Sequence, residues 1–534
     1  MVHPVLLTDN VHGIAAEMLR DRAGFEVDVR TGSDPQSLKK VIGKYEAVVI
    51  RSTTKITADV IQAADNLKVI VRAGSGTDNI DTVEATKRGV VVMNTPGGNS
   101  QAAAEHALGL ILALHRHIAP AVESLKAGRW EKKKFQGHEI AGRTLGVLGL
   151  GRIGGIVAAR AAKGLKMRVL AYDPAVTPET MRQMGIESAG VEEIFSRADV
   201  ITVHIPLNDS TRGLIDSGAI GRMKPGVMLV NTARGGIIDE DALFQGLESG
   251  KVAAAALDVF SVQPPGKSPL IMHPRVVATP HLGASTAEAQ VNVAVSAAEQ
   301  IIEYLEDGVI RNAVNAPALQ ASDLSRVGPY LRLAGKLARF VGSLCAPGVS
   351  SVDVEYFGQP ASWDLRPMTN SALVGLLSSF HIEHVNHINA ASIAKERGIG
   401  ITETARREGD EYPSSIGIKI RRTDGSVRSV HGAVFRRQGD EPRITEIDGF
   451  VTEAVPSGPM LVVTNRDVPG MIAAVAGALA AERVNIAQMN LSREKIGGKA
   501  ISIINTDQPA GEKTLAGIRR IDGILSVDQV IMDD

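Results

Sequence analysis

The sequence predicts an α/β chain: two doubly wound parallel sheets, then an α+β unit, then a small β-α-β-β-α-β unit. Three observations predict it. Short runs rich in Val, Ile and Ala alternate with helical stretches from Val5 to Thr286. The glycine pattern Gly149-Leu150-Gly151-Arg152-Ile153-Gly154 falls between one such run and a helix. The texture then changes at Ala316-Pro317 and again at Pro456-Ser457-Gly458-Pro459, both of which read as linkers. At 534 residues the chain is too long for one core.

In the first unit, Val5–Thr8, Phe25–Val29, Ala47–Ile50, Lys68–Arg72 and Val90–Asn94 read as strands. The intervening stretches Val11–Arg20, Leu38–Ile42 and Ile56–Ala64 read as helices. Ligands in such sheets lie beyond the carboxyl ends of the strands. Arg51, Lys55 and the turn Gly74-Ser75-Gly76 sit at such ends and make a candidate anion site. Asn99 or Ser100 is placed to cap a long helix from Gln101 to His117. Its apolar stripes suit burial on more than one side. Ala127–Gly137 reads as a basic surface loop.

The second unit opens on Thr144–Leu148, the glycine pattern, a helix from Gly155, and Arg168–Tyr172 ending at Asp173. This is the dinucleotide fingerprint of a Rossmann half in its full setting. The glycines permit the turn, the approach of a pyrophosphate and close helix packing, and the helix N-terminus offers free N–H groups. Asp173 favours the ribose hydroxyls of NAD and repels a 2′-phosphate. The strands Asp199–Pro206, Gly226–Asn231, Val252–Leu257 and Arg275–Thr279 complete the sheet. Three of their ends contribute Arg234, Asp258 to Gln263, and His281. Hydride transfer from a 2-hydroxy acid needs a carboxylate clamp and a base with a near-neutral pKa, and Arg234 and His281 meet both needs. A helix from Thr286 to Glu306 returns the chain to the first unit.

The α+β stretch carries helices at Leu331–Leu344, Leu373–His384 and Ile388–Arg397, and strands at Ser351–Tyr356, Ser415–Arg421 and Ser426–Phe435. His381, His384 and His387 recur at three-residue spacing, but no Cys or carboxylate constellation makes them a metal site, and no metal is expected. The last stretch alternates as strand Met460–Thr464, helix Met471–Glu482, strands Ile486–Leu491 and Ala500–Asn505, helix Thr514–Ile521 and strand Ile524–Ile531.

Composition narrows the rest. A net charge of −1 gives no footprint for nucleic acid or an anionic membrane. A single cysteine, Cys345, fits a reducing compartment, and a cytoplasmic location is expected. The start lacks a basic n-region, so no signal peptide is expected. The most apolar helix candidate, Ala107–Leu114, is too short to span a bilayer.

The chain resembles the D-3-phosphoglycerate dehydrogenase branch of the D-isomer-specific 2-hydroxyacid dehydrogenases, in the long form with two C-terminal regulatory domains. The pieces that carry the resemblance are Arg51–Lys55, Arg72–Gly76, Asn94–Ser100, Gly149–Gly154, Asn231–Gly236, Ala256–Phe260 and Pro280–Thr286. It implies a flavodoxin-like substrate domain (1–98 and 285–316), a Rossmann NAD domain (99–284), a regulatory domain (317–455) and a ferredoxin-like ACT domain (456–534). It implies NAD-dependent oxidation of 3-phospho-D-glycerate, with Arg234 orienting the substrate and His281 as acid/base. Arg51, Lys55, Ser75, Gly76 and Asn99 would surround the substrate. Ser75, Gly149, Gly151, Arg152, Ile153, Gly154, Asp173, Ile205, Thr232, Ala233, Arg234, Asp258, His281, Gly283 and Ala284 would line the NAD site. Asp467 and Asn485 would bind L-serine as effector, in a homo-tetramer or dimer. The alternatives are a glycerate-type dehydrogenase or an NAD-binding interaction protein on the same scaffold.

The sequence departs from the family at Gln263, where a glutamate partners the catalytic histidine. A carboxylate about 4 Å from an imidazolium contributes roughly 4 kcal/mol at an effective dielectric of about 20. Gln263 can hold the ring but carries no charge, so a less basic His281 is expected.

Overall fold

Strands β1 (His3–Leu7), β2 (Phe25–Val29), β3 (Ala47–Ile50), β4 (Val69–Arg72) and β5 (Val91–Asn94) form a parallel sheet in the order β2-β1-β3-β4-β5. Their side chains alternate between two cores. Val5, Leu7, Val49 and Val71 face the helices Ile14–Arg20 and Ala287–Asp307, while Leu6, Val48, Ile50 and Ile70 face the opposite layer. Burial on both faces explains the unbroken apolar runs. The computed structural model describes residues 2–31, 34–317, 321–345, 348–380, 382, 384–408, 412–435 and 439–532, without the side chains of 321–324.

The second sheet runs β12-β11-β10-β9-β6-β7-β8, all parallel, with β6 (Thr144–Leu148), β7 (Arg168–Tyr172), β8 (Glu187–Ser188), β9 (Val200–Val203), β10 (Val227–Asn231), β11 (Val252–Leu257) and β12 (Val276–Ala278). The strand order reverses between β6 and β9, where a ligand crevice belongs. The helix Ser100–His115 lies against this sheet and the helix Arg152–Lys163, with Ala104, Ala107 and Ile111 in the core. Thr286 caps the return helix, its hydroxyl accepting from the Ala289 N–H, and Gly308 ends it in the left-handed region.

The third sheet, β14-β13-β15-β16-β17-β18, is mixed. It comprises β13 (Val349–Phe357), β14 (Gly400–Arg406), β15 (Ser415–Arg422), β16 (Val427–Phe435), β17 (Glu441–Ile447) and β18 (Phe450–Ala454). The fourth is antiparallel, β20-β21-β19-β22, from β19 (Gly458–Arg466), β20 (Ile486–Arg493), β21 (Lys499–Thr506) and β22 (Ile524–Met532). One face of the fourth sheet, through Met460, Val462, Ile501 and Val530, joins the core of the third unit. The other packs on its own helices, Met471–Ala481 and Glu512–Arg519.

Several expectations are corrected. The long helix stops at His115, short of the expected His117, and a left-handed His117 starts a separate helix, Ile118–Lys126, between the helix and the loop read from the sequence. The helix expected at Leu373–His384 runs Arg366–Ser378, and the next one Ala390–Glu396. His384 and His387 therefore share no helix: His384 is left-handed, and the His387 ring faces the Ser371 hydroxyl at 3.4 Å. His381 lies outside the described residues. Among the described residues no group of three or more His, Cys, Asp or Glu is placed to hold a metal, and no helix is long and apolar enough to cross a membrane.

Candidate active site

A cleft of about 700 Å³ lies between the first two sheets. The first contributes Lys55, Ser75, Gly76, Asp78 and Asn99, and the second Ile153, Thr232, Arg234, Gln263, His281, Gly283 and Ala284. Arg234 follows β10. Asn231 shapes the turn that carries it, accepting from the Ala233 N–H at 3.0 Å and donating to the Arg234 carbonyl at 2.8 Å. The guanidinium donates from Nε to Asp78 at 2.9 Å and from Nη1 to the Ala233 carbonyl at 2.6 Å.

His281 follows β12 in the left-handed region, its N–H donating to the Asp258 carbonyl at 3.0 Å. Gln263 Oε1 lies 2.8 Å from its Nδ1, and Gln263 Nε2 donates to the Phe260 carbonyl at 3.3 Å. That second bond fixes which way the amide points, so Nδ1 carries the ring proton and neutral Nε2 is free to accept one. Protein crowding around the ring depresses the His281 pKa below the ordinary histidine value, with Arg234 and Arg72 adding to it and Asp258 and Asp78 opposing. The direction is the one expected from the sequence, though burial leads it.

Asp258 acts through this loop. Its side chain is 0% exposed, and it accepts from Thr279 Oγ1 at 2.6 Å, the Leu282 N–H at 2.7 Å and the Gly283 N–H at 2.8 Å. His106 Nε2 stands 3.3 Å away. Burial pushes the Asp258 carboxyl up, but these bonds outweigh it and hold the pKa below the usual range. With its oxygens taken, Asp258 reaches the cleft by fixing Leu282 and Gly283 rather than by facing a ligand directly.

Asn99 makes no cap bond at the helix it precedes; its Oδ1 accepts from Ser75 Oγ at 2.9 Å and braces the glycine turn. Arg51 lies off the main cleft, in an annex of about 100 Å³ with Ser52, Arg72, Gly74 and Ser285. Burial of Asp9 raises its pKa, but bonds from Thr53, Thr54 and the Arg51 N–H lower it further, and the carboxylate holds this loop. Arg72 was given no role from the sequence. Its guanidinium lies against Gly74, its Nε is buried without a partner among the described residues, and burial together with Arg234 brings its pKa down to about 10. Asp78 and His106 were also passed over. Arg72 and Asp78 bracket the glycine turn, which was the available signal.

The fingerprint fits a dinucleotide. A Cβ on Gly154 would overlap the Gly149 carbonyl oxygen, so the helix can meet the strand only through glycine. No side chain caps the helix Arg152–Lys163, leaving its first N–H groups for phosphate. Asp173 accepts from the Leu150 N–H at 2.7 Å and keeps lone pairs for a ribose. Ile205 packs beside Gly149, and Thr232 Oγ1 is buried in the cleft wall with no partner among the described residues.

The model of the D-isomer-specific 2-hydroxyacid dehydrogenase NAD-binding domain matches residues 108–283. That of the D-3-phosphoglycerate dehydrogenase intervening domain matches 326–448, and that of the ACT domain 460–523. A D-3-phosphoglycerate dehydrogenase from Synechocystis is 42% identical, covering 97% of this chain and 93% of its own length. One from Archaeoglobus fulgidus is 41% identical, covering 98% and 99%. The chain belongs to the D-3-phosphoglycerate dehydrogenase family. It joins the NAD-binding unit to an intervening and an ACT domain. Among solved structures, the D-lactate dehydrogenase of Aquifex aeolicus with NAD and lactic acid superposes with a TM-score of 0.52 at 26% identity, over 59% of this chain and all of that one. A glyoxylate reductase from Paecilomyes thermophila gives 0.54 at 29%, over 59% and 98%.

In the ACT domain the residues expected to hold an effector stand apart. The Asp467 N–H donates to the Gly498 carbonyl before β21, and the Asp507 N–H beyond its far end donates to the Asn485 carbonyl. The two sites are thus separated by the length of β21, roughly 30 Å at about 3.3 Å per residue. Within one chain they do not meet.

Proposed function

We propose that the chain oxidises 3-phospho-D-glycerate to 3-phosphohydroxypyruvate with NAD, the first step of L-serine synthesis. The observation that carries the reading is the convergence of Arg234 and the His281–Gln263 pair on one cleft between two sheets. The free Nη2 edge of Arg234 holds the substrate carboxylate. Nε2 of neutral His281 takes the hydroxyl proton, while Gln263 keeps the proton on Nδ1 and the ring in line. NAD, held along Gly149–Gly154 with Asp173 at its ribose, supplies the hydride acceptor. The phosphate fits the annex, where Arg51 and Arg72 bring two guanidiniums and Ser52 a hydroxyl, with Lys55 at the rim of the cleft.

L-serine acts as effector at the ACT domain, and Asp467 and Asn485 reach one ligand only when two chains bring opposite sheet ends together. A homo-oligomer follows, working in the cytoplasm, in keeping with the lone buried Cys345. NAD reduction is measured with 3-phospho-D-glycerate and with D-glycerate, each with and without L-serine. A strong preference for the phosphorylated acid, suppressed by serine, is expected. Equal rates on both acids would contradict the substrate, and indifference to serine would contradict the effector.

A further inference from the structure

The guanidinium of Arg234 is held from across the cleft. Arg234 belongs to the second sheet, but two of the groups that fix it come from the loop after β4 in the first. Asp78 Oδ2 accepts from Nε at 2.9 Å. Gly76 lies flat against Nη2: a Cβ on Gly76 would overlap that nitrogen and stand 2.9 Å from Asp78 Oδ2. With Nη1 donating to the Ala233 carbonyl, the Nη2 edge is the part of the fork left to a ligand.

An arginine held only at its backbone samples many rotamers, and freezing it on ligand binding costs conformational entropy. A carboxylate already on Nε removes that freedom beforehand and leaves Nη2 aimed before the substrate arrives. The side chain of Asp78 is 66% exposed, so its removal opens no hole in the core. Its charge is set among cations: Arg72 lies behind the same glycine turn and shares the cleft wall with it. Because Asp78 rides on the first sheet and Arg234 on the second, the ion pair also links the orientation of the fork to the spacing of the two.

We propose that Asp78 is a positioning residue for the dehydrogenase reaction, setting the Arg234 fork for the substrate carboxylate from the opposite wall of the cleft. The proposal rests on Arg234 being the carboxylate clamp. It is tested in the full-length chain with Asp78→Ala, Asp78→Asn, Arg234→Lys and the Asp78→Ala/Arg234→Lys double variant. Steady-state kinetics with 3-phospho-D-glycerate and fluorescence titration with NADH are recorded for each.

Asp78→Ala is expected to lower kcat/KM for phosphoglycerate by about tenfold or more with NADH affinity unchanged. Asp78→Asn, which keeps an acceptor for Nε, recovers most of the loss. In the Arg234→Lys background, Asp78→Ala adds nothing, because a lysine offers no Nε–H in that place. The proposal is overturned by a kcat/KM within twofold of the parent in Asp78→Ala. It is equally overturned by tighter phosphoglycerate binding, which would make Asp78 a competitor for the fork, or by equal losses in both backgrounds. If Arg234→Lys alone leaves kcat/KM intact, the clamp itself has failed, and that result separates the two ideas.

Discussion

Gln263 Oε1 accepts from His281 Nδ1 at 2.8 Å, so the histidine proposed as acid/base leans on a neutral amide. The arrangement orients the ring as a carboxylate would, without stabilising the imidazolium. Charged groups elsewhere around the ring partly cancel, with Asp258 and Asp78 raising its pKa and Arg234 and Arg72 lowering it. Hydroxy-acid oxidation needs neutral His281, so its rate rises with pH through the depressed pKa and is flat above. Keto-acid reduction needs protonated His281, so its rate is flat below that pKa and falls above. Gln263→Glu is expected to move both limbs to higher pH by about one pH unit or more. Recording kcat/KM against pH in both directions checks this; unmoved limbs would show that the amide does not set the basicity.

Arg234→Lys keeps a charge but loses the fork. Losing one charge-assisted bond of about 1.5–3 kcal/mol lowers kcat/KM for phosphoglycerate roughly 10–100-fold. Steady-state kinetics with a parallel NADH titration distinguish loss of the substrate grip from loss of the cofactor.

Much of this site was legible in the sequence, because its residues sit where apolar strands stop. The ends of β10 and β12 deliver Arg234 and His281, and β6 delivers the glycine pattern. Two-faced burial made those strands easy to read. Others were missed for the opposite reason. β14, Gly-Ile-Thr-Glu-Thr-Ala-Arg, is a mostly exposed edge strand, and β17 opens on Glu-Pro-Arg, so neither shows an apolar run. Arg72 escaped because a buried cation has no periodic signature; only packing reveals that its Nε has lost water without gaining a partner among the described residues. The separation of Asp467 from Asn485 depends on antiparallel register, which spacing along the chain does not disclose.

Arg72 and Arg51 line the same annex. Arg72→Met is expected to reduce kcat/KM for 3-phospho-D-glycerate by about tenfold or more, the scale of one lost charge-assisted bond. Turnover of D-glycerate, which sends no charge into the annex, should change far less. The ratio of the two specificity constants is the readout. A parallel fall with both acids would remove the phosphate from this pocket.

The distance between Asp467 and Asn485 makes a statement about assembly. Asp467→Ala and Asn485→Ala should each abolish the response to L-serine. Mixing the two variants and allowing subunits to exchange should restore part of it, because hybrid interfaces pair one intact half-site of each kind. Titrating serine inhibition of the mixture against the separate variants checks this, and a mixture as unresponsive as its components would place both residues outside a shared site.

Hydride transfer in the cleft is tested most directly by isotope. The full-length protein is supplied with NAD and 3-phospho-D-glycerate carrying deuterium at the carbinol carbon, and the reduced coenzyme is analysed by mass. One deuterium per reduced coenzyme is expected, with turnover collapsing in His281→Ala. Deuterium released to solvent, or reduction that survives loss of His281 undiminished, would contradict a hydride abstracted between Arg234 and His281.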